Sequence, residues 1–137
     1  MDKYQSEEKL KFYSWGMQGY SQLYEVKPDD KWPLFVFLET DRVIENKGNG
    51  VISEGVGTAA LLAKDLENER FSDYKKWLDQ SAGQIIDLQI TEGKNLASSG
   101  EKALGGFCVN SKCETSRIDL THHNLSALIW IYRILDN

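Results

Sequence analysis

Long apolar runs are missing from these 137 residues, and none approaches the ~18–20 consecutive apolar positions that a membrane-spanning helix needs. The charged opening Met1-Asp2-Lys3-Tyr4-Gln5-Ser6-Glu7-Glu8 lacks the apolar core of a secretory signal. Together these absences set the expectation of a cytoplasmic protein that makes no membrane contact. Proline is scarce, at Pro28 and Pro33 only, and there is no internal repeat, low-complexity tract or Pro/Ser-rich linker. Residues 1–137 therefore read as a single domain. A Lys/Arg stripe is also absent. Sixteen bases against 21 acids leave a net charge of −5, which disfavours a nucleic-acid backbone and mildly favours a basic protein partner through long-range steering. The plainer reading is that such a charge keeps an ordinary protein soluble.

The apolar fraction of 41% and the charged fraction of 27% lie in the globular range, and the length is enough to bury a core. Leu10, Tyr13, Met17, Tyr20 and Tyr24 recur at helical spacing and favour a helix over about residues 6–24, although Gly16 and Gly19 weaken it. Leu34-Phe35-Val36-Phe37-Leu38, after Pro33, reads as a strand buried on both faces. The turn residues Lys47-Gly48-Asn49-Gly50 suggest a hairpin flanked by 41–45 and 51–53. Thr58 caps a helix with Ala59, Leu62, Ala63 and Leu66 inward, and Ser72 caps another carrying Tyr74, Trp77, Leu78 and Ser81, ended by Gly83. Ile86, Leu88 and Ile90 alternate as in a half-buried strand. Asn110-Ser111 closes a hairpin of 107–109 with 113–115. A closing helix, capped by Asp119 or Thr121, runs to about Leu135 with Leu125, Leu128, Ile129, Tyr132 and Leu135 along one side. The expectation is an α+β fold: one compact domain with an antiparallel or mixed sheet packed against three to four helices.

No motif for catalysis or a cofactor emerges. The glycine-rich segment 48–58 precedes a helix, as phosphate loops do, but it lacks the Walker lysine and the dinucleotide spacing, and Glu54 would repel a phosphate. It reads as a structural turn or flexible loop. Cys108 and Cys113 are spaced too loosely for a strong zinc signal, and the adjacent His122 and His123 would point about 100° apart on a helix. Cys108 and Cys113 face each other across the expected hairpin. Three readings stay open: reduced thiols, a disulfide, or a metal site, with the reduced pair favoured by a cytosolic setting. No metal and no cofactor is expected, and an enzyme is disfavoured.

Nine of the 15 aromatics lie in residues 1–37, more than one helix and one strand can bury. Tyr and Trp are frequent energetic anchors of interfaces. Residues 39–69 are distinctly acidic. These two surpluses set the partner-binding expectation: Trp15, Tyr20 and Tyr24 as anchors, with Glu39, Asp41, Glu45, Glu54, Asp65, Glu67 and Glu69 facing a protein more basic than this one. An inhibitor or immunity protein that neutralises a toxin or enzyme is the most concrete version. The alternatives are a small enzyme or ligand-binding domain, using the Gly48–Thr58 loop or the Cys108/His122 region, and an assembly subunit that oligomerises through its apolar last helix.

Overall fold

The computed structural model describes residues 3–45, 50–93 and 103–136, with side chains described from Phe12 onward. Among the described residues five helices follow one another: α1 (Lys3–Val26), α2 (Lys31–Val43), α3 (Gly50–Asp65), α4 (Arg70–Asp87) and α5 (Ile118–Leu135). No strand or sheet forms among the described residues. The bridges there are isolated ones, among them Gln89 with Phe107 and Cys108 with Ser116. The α+β expectation is thus overturned in favour of an all-helical bundle. No described helix is long and apolar enough to cross a membrane.

The bundle is organised by α3, which packs against each of the other four helices. Its sequence explains that position. Gly55, Ala59 and Ala63 follow at i, i+4 spacing, and all three are buried. Small side chains on such a row let neighbouring backbones approach closely. A Cβ on Gly55 would lie 2.5 Å from Cε1 of Tyr13 and 3.0 Å from Cα of Ser14 on α1. One on Gly57 would lie 3.0 Å from Cβ of Trp130, and one on Gly50 would lie 2.8 Å from Cα of Asn124, both on α5. The glycine-rich segment, from Gly50 on, is therefore neither a turn nor a flexible loop. It is a helix surface shaped for two neighbours. The rest of the expected turn, residues 46–49, lies outside the described residues.

Direction follows from these contacts. Ser14 donates to the Val51 carbonyl, and further along, Ser21 and Glu25 face the same groove as Thr58 and Asp65. On the other side, Asn124 meets Gly50 while Trp130 and Ile134 meet Gly57. Helices α1, α3 and α5 therefore run the same way. Between α3 and α4 the chain reverses in a tight turn. The Asn68 N–H donates to the Ala63 carbonyl and the Glu67 N–H to the Lys64 carbonyl, with Glu67 left-handed at φ 51°. This is a Schellman closure, in which a non-glycine residue holds the strained position. Buried hydroxyls then tie the layers: Tyr13 donates to Thr40 Oγ1 at 2.8 Å, and Ser53 and Ser81 lie 2.7 Å apart.

Each corrected element has a local reason. The run 34–38 belongs to α2, where Pro33 sits in the first turn and its missing N–H costs no intrahelical bond. Pro33, Val36, Phe37, Thr40 and Val43 are buried at helical spacing, while Leu34, Phe35 and Leu38 face outward. The expected hairpin 41–45/51–53 is instead the end of α2 and the start of α3. α4 runs through Gly83, and its stripe Tyr74, Leu78, Ser81 and Ile85 takes Ile86 out of any strand. It starts before Ser72, at Arg70, whose N–H donates to the Asn68 side chain. α5 begins at Ile118, and neither Asp119 nor Thr121 is its N-cap; the Thr121 hydroxyl accepts the Phe107 N–H instead. α5 buries Asn124, Ala127, Ile131 and Ile134, leaving Leu125, Ile129 and Tyr132 exposed. The register of the cysteine segment also differs: the Val109 N–H donates to the Thr115 carbonyl, so the connecting loop is longer than two residues.

Candidate functional site

Three places gather chemistry-bearing side chains. The first lies across α1 and α2. Phe12 is 72% exposed and Trp15 63% exposed, with their rings edge to face at 6.5 Å. Leu34, Phe35 and Leu38 are exposed on α2. Phe12, Gly16, Tyr20, Phe35 and Glu39 line a groove of about 350 Å³ between the two helices. Tyr20 does not project freely. It stacks on Trp32 at 5.5 Å and leans on Phe35 at 4.6 Å, which fixes the groove wall. Glu39 at the rim holds an exposed i, i+3 pair with Arg42 at 2.6 Å.

The acidic residues expected to face a partner divide. Asp41 is engaged within the bundle: it accepts from Tyr74 at 2.7 Å and from Arg70 at 2.9 Å. Burial, reinforced by the Asp41 carboxylate, pushes the Tyr74 hydroxyl well above the usual phenol range, and burial does the same to Tyr13. Asp41 holds the Arg70 guanidinium in its charged form. Glu54 is buried on α3, its Oε2 3.0 Å from Nδ1 of His123 on α5. Glu45, Asp65, Glu67 and Glu69 are exposed.

The Glu54–His123 pair is the second place. It joins the two regions, the glycine-rich segment and the histidines, that the sequence offered as separate ligand-binding alternatives. A carboxylate on Nδ1 orients an imidazole and leaves Nε2 as the outward nitrogen. Among the described residues, no cluster of three or more His, Cys, Asp or Glu side chains is arranged to hold a metal ion. Ser53, the neighbouring hydroxyl on α3, is committed to Ser81. The pair therefore ties α3 to α5 and has neither a nucleophile nor further ligands arranged on it among the described residues. Cys108 and Cys113 form a disulfide with Cα atoms 4.9 Å apart, so no thiol is present as nucleophile or metal ligand. Of the three readings of the cysteines, the structure takes the disulfide.

The third place is a groove of about 530 Å³ at the C-terminal ends of α1 and α3. It brings Tyr24 and Asp65 together with Glu25, Leu61, Leu62 and Trp130. The sequence singled out Tyr24 and Asp65 but not Glu25 or Trp130, which join them only through the parallel packing of α1, α3 and α5. Phe12 was not singled out as an anchor either, although it belongs to the aromatic surplus of residues 1–37 that one helix and one strand cannot bury. No family model, no curated protein and no solved structure matches the chain.

Proposed function

We propose that the chain is a protein-binding module that docks a more basic partner on the α1–α2 face. The observation that carries this reading is the set of exposed apolar residues Phe12, Trp15, Leu34, Phe35 and Leu38 on the two helices that wall the aromatic groove. Exposed apolar patches rimmed by polar groups mark interaction sites, and aromatic anchors in preformed pockets carry most binding energy. The occupant is a protein segment with an apolar or aromatic side chain for the groove and a Lys or Arg beside it. An exposed pair such as Glu39–Arg42 contributes little to stability, so a partner's cation can exchange for Arg42. The net charge of −5 steers such a partner in. An inhibitor or immunity protein acting on a toxin or enzyme is the most concrete form of this reading. The disulfide favours an oxidising compartment over the cytoplasmic setting expected from the sequence.

The test is affinity capture from the source cells with the wild-type chain and with Trp15→Ala/Phe35→Ala. Trp15 is mostly exposed, and Phe35 gives up its packing on Tyr20, so the variant should fold and melt somewhat below the wild type. It should lose a stoichiometric, basic partner by at least ~30-fold in affinity, as the removal of a hot spot predicts. The inhibitor form further requires that the captured partner's activity fall on adding the wild-type chain and not on adding the variant. Absence of any stoichiometric partner, or equal capture by both chains, would end the proposal.

A second reading rests on a different face. Ile118, His122, Leu125, Ile129 and Tyr132 are all exposed on α5 at alternating four- and three-residue steps, the spacing of a helix–helix seam. That stripe suits an assembly subunit, and a wild-type chain that stays monomeric at high concentration removes this alternative.

A further inference from the structure

We infer that the groove at the C-terminal ends of α1 and α3 is a binding site for an alkyl ammonium or guanidinium group. It stands apart from the α1–α2 face and does not rest on the reading above. Its charged lining is Glu25 and Asp65, with no Lys or Arg. Both carboxylates occupy positions that helix electrostatics disfavours. Glu25 is in the last turn of α1, which contains no base, and Asp65 is the last residue of α3. Each helix C-terminus already carries partial negative charge, and α1 and α3 run parallel, so two negative ends and two carboxylates converge on one groove. Lys64, the base in the last turn of α3, is not among the lining residues.

Two further features point to a ligand rather than to a merely acidic surface. Ser21, in the wall of the groove, is only 8% exposed, and its hydroxyl has no hydrogen-bond partner among the described residues. Buried polar groups are ordinarily paired, and the exceptions in native structures mark a water or ligand contact. The remaining lining, Pro28, Leu61, Leu62 and Leu66 with Tyr24 and Trp130, is apolar and aromatic. Two carboxylates on such walls are too few for a metal ion but match a cation with a hydrocarbon body. The charged head meets Glu25 and Asp65, the stem lies on the leucines, and the Tyr24 ring offers its face to a cation, the Trp130 ring already carrying the Arg133 guanidinium 5.8 Å from its centroid. A volume of about 530 Å³ falls in the range of small-ligand sites. The same chemistry is offered by a Lys or Arg side chain of a bound polypeptide and by a free polyamine.

The experiment is a titration of the ¹⁵N-labelled full chain, following the Trp130 indole and the Ser21, Glu25 and Thr58 amides. The probes are N-acetyl-arginine methylamide, its neutral isostere N-acetyl-citrulline methylamide, and spermidine. The arginine compound or spermidine should give saturable shifts confined to groove residues, and the citrulline compound none. Glu25→Gln/Asp65→Asn, at two exposed carboxylates, should weaken binding at least tenfold without changing the melting curve. Trp15→Ala/Phe35→Ala should leave binding unchanged, which separates this site from the α1–α2 face. Tighter binding of the arginine compound assigns the site to a polypeptide side chain, and tighter binding of spermidine assigns it to a free polyamine. Shifts spread over the surface, equal binding of the citrulline compound, or undiminished binding by the double carboxylate variant would overturn the inference.

Discussion

Adding one methyl group to Gly55 tests the packing logic of the bundle. In an exposed helix interior, Gly→Ala stabilises by roughly 1 kcal/mol, because alanine loses less backbone entropy on folding. At Gly55 the new Cβ would stand 2.5 and 2.9 Å from two Tyr13 ring carbons and 3.0 Å from the Ser14 Cα. Tyr13 is 5% exposed and its hydroxyl donates to Thr40 at 2.8 Å, so the ring cannot swing away freely. The Ser14 Cα is backbone, and relieving it means moving α1 as a whole. Overpacking of this kind costs about 1–3 kcal/mol, and losing the Tyr13–Thr40 bond adds about 1 kcal/mol. Against the helix-propensity gain, Gly55→Ala should be destabilised by about 1–3 kcal/mol, which lowers a urea midpoint by roughly 0.5–1.5 M for an m-value of about 2 kcal/mol/M. Gly83→Ala is the control. It lies inside α4 with nothing within 4 Å of the point an added Cβ would occupy, and it should gain about 0.5–1 kcal/mol. A Gly55→Ala chain as stable as wild type would refute the close approach of α1 to α3, and a Gly83→Ala chain that loses stability would refute the open space beside α4.

Two other expectations follow from the core and the disulfide. Tyr13 and Tyr74 are buried as neutral phenols with raised pKa values, whereas an unfolded tyrosine ionises near pH 10. Their contribution is therefore fully present below about pH 10 and is lost above it, by about 1.4 kcal/mol per pH unit for each ring, as the unfolded chain releases protons that the folded one retains. Denaturant midpoints from pH 8 to 11.5, with absorbance at 295 nm, check this: both rings should ionise only on unfolding, and their titration near pH 10 in the folded chain would contradict their burial. The Cys108–Cys113 link closes a short loop with a sequence separation of 5, for which chain entropy predicts about 2 kcal/mol. The unfolded, unreduced chain should react with no thiol reagent, and Cys108→Ala/Cys113→Ala should be destabilised by about that amount; two reactive thiols in unreduced protein would contradict the link.

How far the fold could be read depended on which signal each segment carried. α1 and α5 were legible because their apolar residues recur at helical spacing over many turns, without prolines. α2 was not, because Leu34-Phe35-Val36-Phe37-Leu38 is apolar on every face and favours strands residue by residue. Only its outward Leu34, Phe35 and Leu38 show that part of that apolarity was never meant for the core. The deciding period, Pro33, Val36, Phe37, Thr40, was present but carried by a proline and a threonine. α3 was legible only in its second half: the helix expected beyond Thr58, with Ala59, Leu62 and Ala63 inward, is there, but the glycine-bearing first half was read as a turn. Its glycines suggested backbone freedom, yet Gly55, Ala59 and Ala63 at i, i+4 intervals are a helix-packing row whose meaning appears only with α1 and α5 against it. The absence of a sheet among the described residues follows from these two corrections together with the end of α4, which takes up Ile86, and the cysteine segment, which forms isolated bridges.

The candidate sites were legible only as residue types, and the reason is the distance in sequence between partners. A carboxylate taken up inside the bundle looks like a free one until its partner is known, and the partner is 29 residues away for Asp41 with Arg70 and 69 for Glu54 with His123. Aromatic surplus has the same ambiguity. α1 alone cannot bury Phe12, Tyr13, Trp15, Tyr20 and Tyr24, but which of them turn outward is decided by where α2 and α3 lie. Tyr13 enters the core against Gly55, Tyr20 is held by Trp32 and Phe35, and Phe12 and Trp15 are left exposed. The charge of the groove is harder still to foresee, because Glu25 and Asp65 converge only if α1 and α3 run parallel. Two consecutive helices joined by a short turn normally run antiparallel, and here α2 is the return leg that lets α1 and α3 point the same way. The two helix ends whose negative potentials reinforce each other are thus a property of chain order, not of any local motif.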